Sequence, residues 1–250
     1  MKLGQALPIE TDFRSVSYSA GSGHAAAVNK DGIALTFSMG SKGNRFGQLG
    51  RGKDAKHVTL DVPQAVSCVE DVKNAYTGGT KDSGHTALLT QEGVLWMAGC
   101  DRWQQLGLGS PGAGAAGYTW SGGKIWRRSF KKNSAIASLM TGDEHIVDVA
   151  LGGDHTAVLT SSKNVYCWGR GGQGQLGVAG NPFVSAPMKS NKFSGDPAVK
   201  AICALRDCTA TVNEDGNVIK SAGKCEKVLV EGFKECLRAA KHSKLICQEN

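Results

Sequence analysis

Two short segments recur along this 250-residue chain, and their spacing limits what it can fold into. The first reads SGHAAAV around His24, SGHTALL around His85, GDHTAVL around His155 and a degenerate RDCTATV around Cys208. Each precedes a turn such as KDG, QEG or EDG, then a run ending in glycine: IALTFSMG, VLWMAG, VYCWG and VIKSAG. The second segment ends in Q-L-G, at Gly50, Gly107 and Gly177. The landmarks Gly40, Gly99, Gly169 and Gly223 stand 59, 70 and 54 residues apart, which sets a unit of about 55 to 60 residues with one longer copy. CLRAAKHSKLICQEN, at the end of the sequence, is a weak fifth copy of the first segment.

Within each unit, short runs alternate with period two, as Val165 and Cys167 against Tyr166 and Trp168. Such runs, joined by Gly-rich turns and repeated at a length sufficient for four strands, predict the blades of a β-propeller. One decoy lies inside the repeat. Gly172, Gly174 and Gly177 spell G-x-G-x-x-G after a strand-like NVYCW. A dinucleotide loop would need a helix to follow, whereas VAGNPFVSAPM holds two prolines and no helical period. The other copies share the Q-L-G ending but not the first glycines of the fingerprint, so the repeat accounts for this stretch.

GGDHTAVLT (Gly152 to Thr160), VYCWG (Val165 to Gly169) and GQLG (Gly174 to Gly177) together resemble the regulator of chromosome condensation repeat, and the likeness runs through essentially the whole chain. The resemblance implies an all-β propeller of four-stranded blades, usually seven, serving as a protein-binding platform and in some members as a guanine-nucleotide exchange factor. Seven blades of this length need on the order of 385 residues, so about four to five are expected here, in an open or incomplete ring. Residues 1–250 are read as one repeat domain, with residues 108–145 a basic, Gly-rich insertion in the second repeat.

The formal charge of +7 favours acidic partners. Eight cysteines include no C-x-x-C and several sit in apolar runs, a pattern of reduced thiols in an intracellular compartment, cytoplasmic or organellar (mitochondria included), not secreted. No run of about 18 apolar residues occurs, so no transmembrane segment is expected. The sequence also lacks G-x-S-x-G, a P-loop ending, H-E-x-x-H and paired metal-ligand spacings, so no enzyme, cofactor or metal site is expected.

His24, His85 and His155 recur once per unit, and a group repeated on every blade is read as packing and hydrogen bonding rather than catalysis. Trp96 and Trp168 are read as filling the space between sheets. The insertion carries Lys124, Trp126, Arg127, Arg128, Phe130, Lys131 and Lys132, basic residues interleaved with aromatics. These seven are the candidate partner-binding residues, for an acidic protein surface first and for RNA or an anionic surface otherwise. They are expected on a loop that the propeller does not need for packing. The functional expectation is a non-catalytic interaction or scaffold module, a subunit or accessory factor of a larger assembly. The alternative is an exchange factor for a small GTPase.

Overall fold

A computed structural model describes residues 13–19, 21–40, 43–52, 61–109, 118–121, 124–178, 180, 182–195 and 198–221. Gly223 and the weak fifth copy at residues 236–250 lie outside them.

Four antiparallel sheets follow one another along the chain, each with its strands side by side. Blade 1 is β1 (Phe13–Ser19), β2 (His24–Asn29), β3 (Ala34–Ser38) and β4 (Gln64–Ala65), in that order. Blade 2 contains β5 (Val72–Thr80), β6 (Ser83–Thr90), β7 (Leu95–Cys100), β8 (Tyr118–Ser121) and β9 (Lys124–Lys132), ordered β5-β6-β7-β9-β8. One helical turn, α1 (Ser134–Ala137), leads into blade 3: β10 (Ile146–Leu151), β11 (His155–Thr160), β12 (Val165–Arg170) and β13 (Phe183–Lys189). Blade 4 shows three strands among the described residues, β14 (Val199–Leu205), β15 (Cys208–Asn213) and β16 (Val218–Lys220).

The first strands of successive blades pack side by side, β1 on β5, β5 on β10 and β10 on β14. Among the described residues no comparable packing returns from blade 4 to blade 1, so the four blades of the propeller form an arc. Small polar contacts stitch the inner strands: Ser17 Oγ lies 2.9 Å from Thr77 Oγ1, and Tyr76 Oη donates to Asp148 Oδ1 at 3.1 Å. Burial of apolar side chains between the sheets supplies the main driving force. One cluster joins blades 1 and 2 through Val28, Val72, Leu88 and Phe130, and a larger one joins blades 2 and 3 through Met97, Leu106, Leu151 and Trp168.

The stretch read as dispensable is built into this packing. β9 pairs with β7 as Met97 with Lys131 and Gly99 with Arg127, so residues 124–132 supply the fourth strand of blade 2, and β8 adds a fifth. The expectation of a loop outside the packing is therefore corrected for these residues.

Cys68, Cys100, Cys167 and Cys203 are free thiols, whereas Cys208 is disulfide-bonded, which the reading of uniformly reduced cysteines did not include.

Candidate functional site

The recurring histidines face the seams between blades. His24 Nε2 lies 2.9 Å from Thr86 Oγ1, His85 Nε2 lies 3.3 Å from Thr156 Oγ1, and His155 Nε2 lies 2.7 Å from Thr209 Oγ1. Each histidine thus reaches the threonine at the start of the next blade's second strand. Thr86 Oγ1 donates to the Gln48 carbonyl at 2.6 Å and Thr156 Oγ1 to the Gln105 carbonyl at 2.8 Å. The hydroxyl proton is thereby committed, so the histidine must donate from Nε2. Burial lowers the three imidazoles to about 3, 4 and 3 for His24, His85 and His155, which keeps them neutral. The relay begins at His24 and ends at Thr209, since Ala25 takes the threonine place in blade 1 and Cys208 the histidine place in blade 4.

The Q-L-G loops hold the other side of each seam. Gln48, Gln105 and Gln175 each turn Oε1 back to accept the backbone N–H two residues earlier, from Phe46, Trp103 and Gln173 at 2.8–2.9 Å. The closing glycine makes room for a ring: a β-carbon on Gly107 would fall 2.5 Å from Trp168 Nε1. Trp168 is fully buried, and that nitrogen donates to the Gln105 carbonyl at 2.8 Å. Histidines, glutamines and this tryptophan are thus consumed by inter-blade packing.

What remains for a partner lies at one end of the arc. The antiparallel path places the turn between first and second strands at one end of every blade, together with the Q-L-G loop in blades 1 to 3. The turn between second and third strands lies at the other. Of the eight described arginines, Arg45, Arg102, Arg127, Arg128, Arg170 and Arg206 lie at the loop end. Five of these guanidiniums sit on rings. Arg45 is 5.5 Å from the centroid of Phe46, Arg127 5.3 Å from Tyr118 and Arg128 5.9 Å from Trp126. Trp103 receives two, from Arg102 at 5.6 Å and Arg170 at 5.3 Å. At the turn end Asp31, Glu92, Glu214 and Asp215 stand with Lys30 and Lys163.

The face is continuous across two seams. The rings of Phe46 and Trp126 meet edge to face at 6.1 Å and 71°, joining the blade 1 loop to β9. The Gly52 N–H donates to the Arg128 carbonyl at 2.8 Å. Toward blade 3, Arg170 lies 3.9 Å from Asp154 and 3.6 Å from Asp207. Asp101 sits beneath, accepting from the Leu106 N–H at 3.0 Å; burial raises its carboxyl to about 7, with Leu106, Tyr118 and Arg127 offsetting part of the effect.

All seven candidate residues from the sequence fall on β9. Lys131 and Lys132 are exposed, Arg127 and Arg128 half-buried. Trp126 and Phe130 are buried, packed on Phe46 and on the cluster between blades 1 and 2, so their reading as contact area for a partner is corrected. The sequence reading missed Arg45, Arg102, Trp103 and Arg170. Its available signal was the Arg-aromatic pair two positions before the Q of two Q-L-G loops, Arg45-Phe46 and Arg102-Trp103.

Among the described residues no group of three or more His, Cys, Asp or Glu is placed to hold a metal ion. No helix among them is long and apolar enough to cross a membrane.

The family profile described as the regulator of chromosome condensation (RCC1) repeat matches residues 146–175 and again 164–210. The zebrafish (Danio rerio) Protein RCC2 homolog is 29% identical over 218 residues, 81% of this chain and 41% of that protein. The ultraviolet-B receptor UVR8 of Arabidopsis thaliana is 27% identical over 175 residues, 70% of this chain and 34% of that protein. The chain therefore spans less than half the length of these relatives. Among solved structures, Prp20p of Saccharomyces cerevisiae superposes with a TM-score of 0.60 at 20% identity, covering 80% of this chain and 43% of that one. Repeats, relatives and blade architecture agree: residues 146–210 carry the regulator of chromosome condensation repeat, and the chain has the β-propeller fold built from that repeat.

Proposed function

We propose that the chain acts as a non-catalytic protein-interaction module, a scaffold subunit or accessory factor of a larger assembly. One observation carries the reading: the histidines that recur on each blade are buried at the seams and bonded to the next blade's threonine, while the accessible chemistry is a surface of guanidiniums at the loop end. A surface of that kind binds without reacting, and arginine is enriched at protein contacts. The test is cross-linking of the chain in native lysate, with sedimentation of the purified chain beside it. Recovery of a defined protein partner at constant stoichiometry is expected. A monodisperse, fully folded chain that cross-links to no protein would overturn the reading.

A second reading is guanine-nucleotide exchange on a small GTPase. It is favoured by the fold likeness to Prp20p, which has been described with its binding properties to Gsp1p and histones. Release of a fluorescent guanine nucleotide from a panel of GTPases separates the two, and acceleration with any of them would select exchange.

A further inference from the structure

We propose that the arginine face at the loop end of blades 1 to 3 docks an extended acidic segment of a partner protein, an assignment that rests on the protein-interaction reading above. Four features of the face lead to that occupant.

The cations are pre-organised. Arg45, Arg102, Arg127, Arg128 and Arg170 each lie over a ring, so less side-chain freedom is lost when a carboxylate is bound. Guanidiniums also match carboxylates through paired N–H donors.

Cations outnumber carboxylates at this end. Asp154 and Asp207 both lie against Arg170, Asp101 is buried under the loop, and exposed Asp82 stands beside Lys81 on the turn between β5 and β6. No carboxylate is paired with Arg45 or Arg102 among the described ion pairs.

The rings are already covered. Trp103 carries a guanidinium from Arg102 and another from Arg170, while Phe46 and Trp126 are buried against each other. Single-stranded nucleic acid gains much of its affinity by stacking bases on open aromatic faces. This face offers charge without those platforms, which favours a polypeptide.

Apolar anchors stand beside the charge. Phe183 pairs with Arg170 across β12 and β13 and is 48% exposed, and Met39 at the end of β3 is 51% exposed. Large apolar side chains next to arginine are the composition of protein contact centres.

A fluorescent peptide of alternating glutamate and leucine is titrated into the full chain, with binding read by anisotropy across a salt series. The parent is expected to bind saturably, and more weakly as salt rises. The triple variant Arg102→Gln, Arg128→Gln, Arg170→Gln is expected to lose at least about tenfold in affinity and most of the salt dependence. Because Arg170 contacts two aspartates, the pair Arg45→Gln, Arg102→Gln serves as a second variant, and melting curves confirm that both fold. Lys163→Gln at the turn end is expected to leave binding unchanged. Equal binding by parent and both variants, tighter binding of oligouridine or of phosphatidylserine vesicles than of the peptide, or no saturable binding would each overturn the assignment. Lysate cross-linking separates this failure from the broader one. A triple variant that still captures the parent's partner overturns the face and leaves the interaction function standing, whereas a parent that captures no protein overturns both.

Discussion

His24 in blade 1 donates through Nε2 to Thr86 Oγ1 in blade 2 at 2.9 Å, and that hydroxyl passes its own proton to the Gln48 carbonyl at 2.6 Å. Three segments from two blades thus meet at one buried oxygen. Replacing Thr86 by valine keeps the shape and removes that oxygen, leaving the imidazole N–H and the Gln48 carbonyl without it. Thr86→Val should cost about 1–3 kcal/mol in urea unfolding, since a buried unsatisfied donor loses its full desolvation energy. Thr86→Ser, which keeps the hydroxyl, should recover most of the loss. Equal stability of Val and Ser variants would remove the relay from the account of the seam.

The same relay fixes how stability depends on acidity. His24, His85 and His155 ionise at about 3, 4 and 3 in the folded chain because burial penalises the cation, against about 6.5 when unfolded. The unfolded chain therefore binds more protons between these values. The histidine contribution is fully present above pH 6.5 and is lost as pH falls toward 4. Asp101, Asp148 and Asp154 act oppositely, because burial raises all three, the first two to about 7 and about 6, so ionising them disfavours the folded state as pH rises. The three imidazoles differ from their unfolded values across the whole interval from pH 6.5 to 4, whereas Asp148 covers only part of it and Arg170 offsets the rise at Asp154, so melting temperature should fall from pH 6.5 to 4. His85→Gln should make that fall shallower, whatever its effect at neutral pH. An unchanged slope in this variant would show that His85 does not titrate with unfolding.

Much of this was readable in the sequence because it repeats. Histidine, Q-L-G and glycine-terminated runs are positions where one seam geometry demands one residue type, and periodicity exposes them. The role of residues 124–132 was hidden by composition. Trp126 and Phe130 share one side of β9 and face the core, but the cations between and after them made the stretch read as a solvated loop. The arginine face was hidden for another reason. Its members come from three blades, the loop arginines Arg45, Arg102 and Arg170 standing 57 and 68 positions apart, and each alone is an ordinary surface arginine. Only the radial arrangement brings them to one end.

Asp101 is a buried carboxyl at a place where blade 1 uses an amide. Asn44 Oδ1 accepts from the Leu49 N–H at 3.2 Å, and Asp101 Oδ1 accepts from the Leu106 N–H at 3.0 Å, the same five-residue reach in the same loop. The hydrogen bond needs a carbonyl oxygen, not a charge. Asp101→Asn should therefore stabilise the chain by about 1–3 kcal/mol at pH 8, where the parent must hold or neutralise a buried anion. The gain should shrink toward zero as pH drops to the ordinary carboxyl value near 4. A pH-independent effect of this substitution would mean that Asp101 does not carry the raised ionisation assigned to it.

Two residues occupy backbone geometry that the other blades give to glycine. Lys163, at φ 64°, closes the turn between the second and third strands of blade 3, where Gly32, Gly93 and Gly216 stand at 78°, 78° and 84° in the other blades. The four turns share one hydrogen bond, from this residue's N–H to the carbonyl three positions earlier. Gln104, at φ 58°, precedes Q-L-G where Gly47 and Gly174 stand at 73° and 78°. A side chain in this left-handed region costs roughly 1–2 kcal/mol, part of which glycine returns through its freer unfolded state. The Lys163 ammonium gains a contact with Glu214 at 3.8 Å, but both groups are exposed and such a pair contributes little. Lys163→Gly and Gln104→Gly should each raise stability by about 0.5–1 kcal/mol, and the double variant should show their sum, because the two sites lie in different turns of different blades. Thermal and urea melts of the three proteins decide it: a loss of stability at Lys163→Gly would mean that the Glu214 contact outweighs the backbone cost.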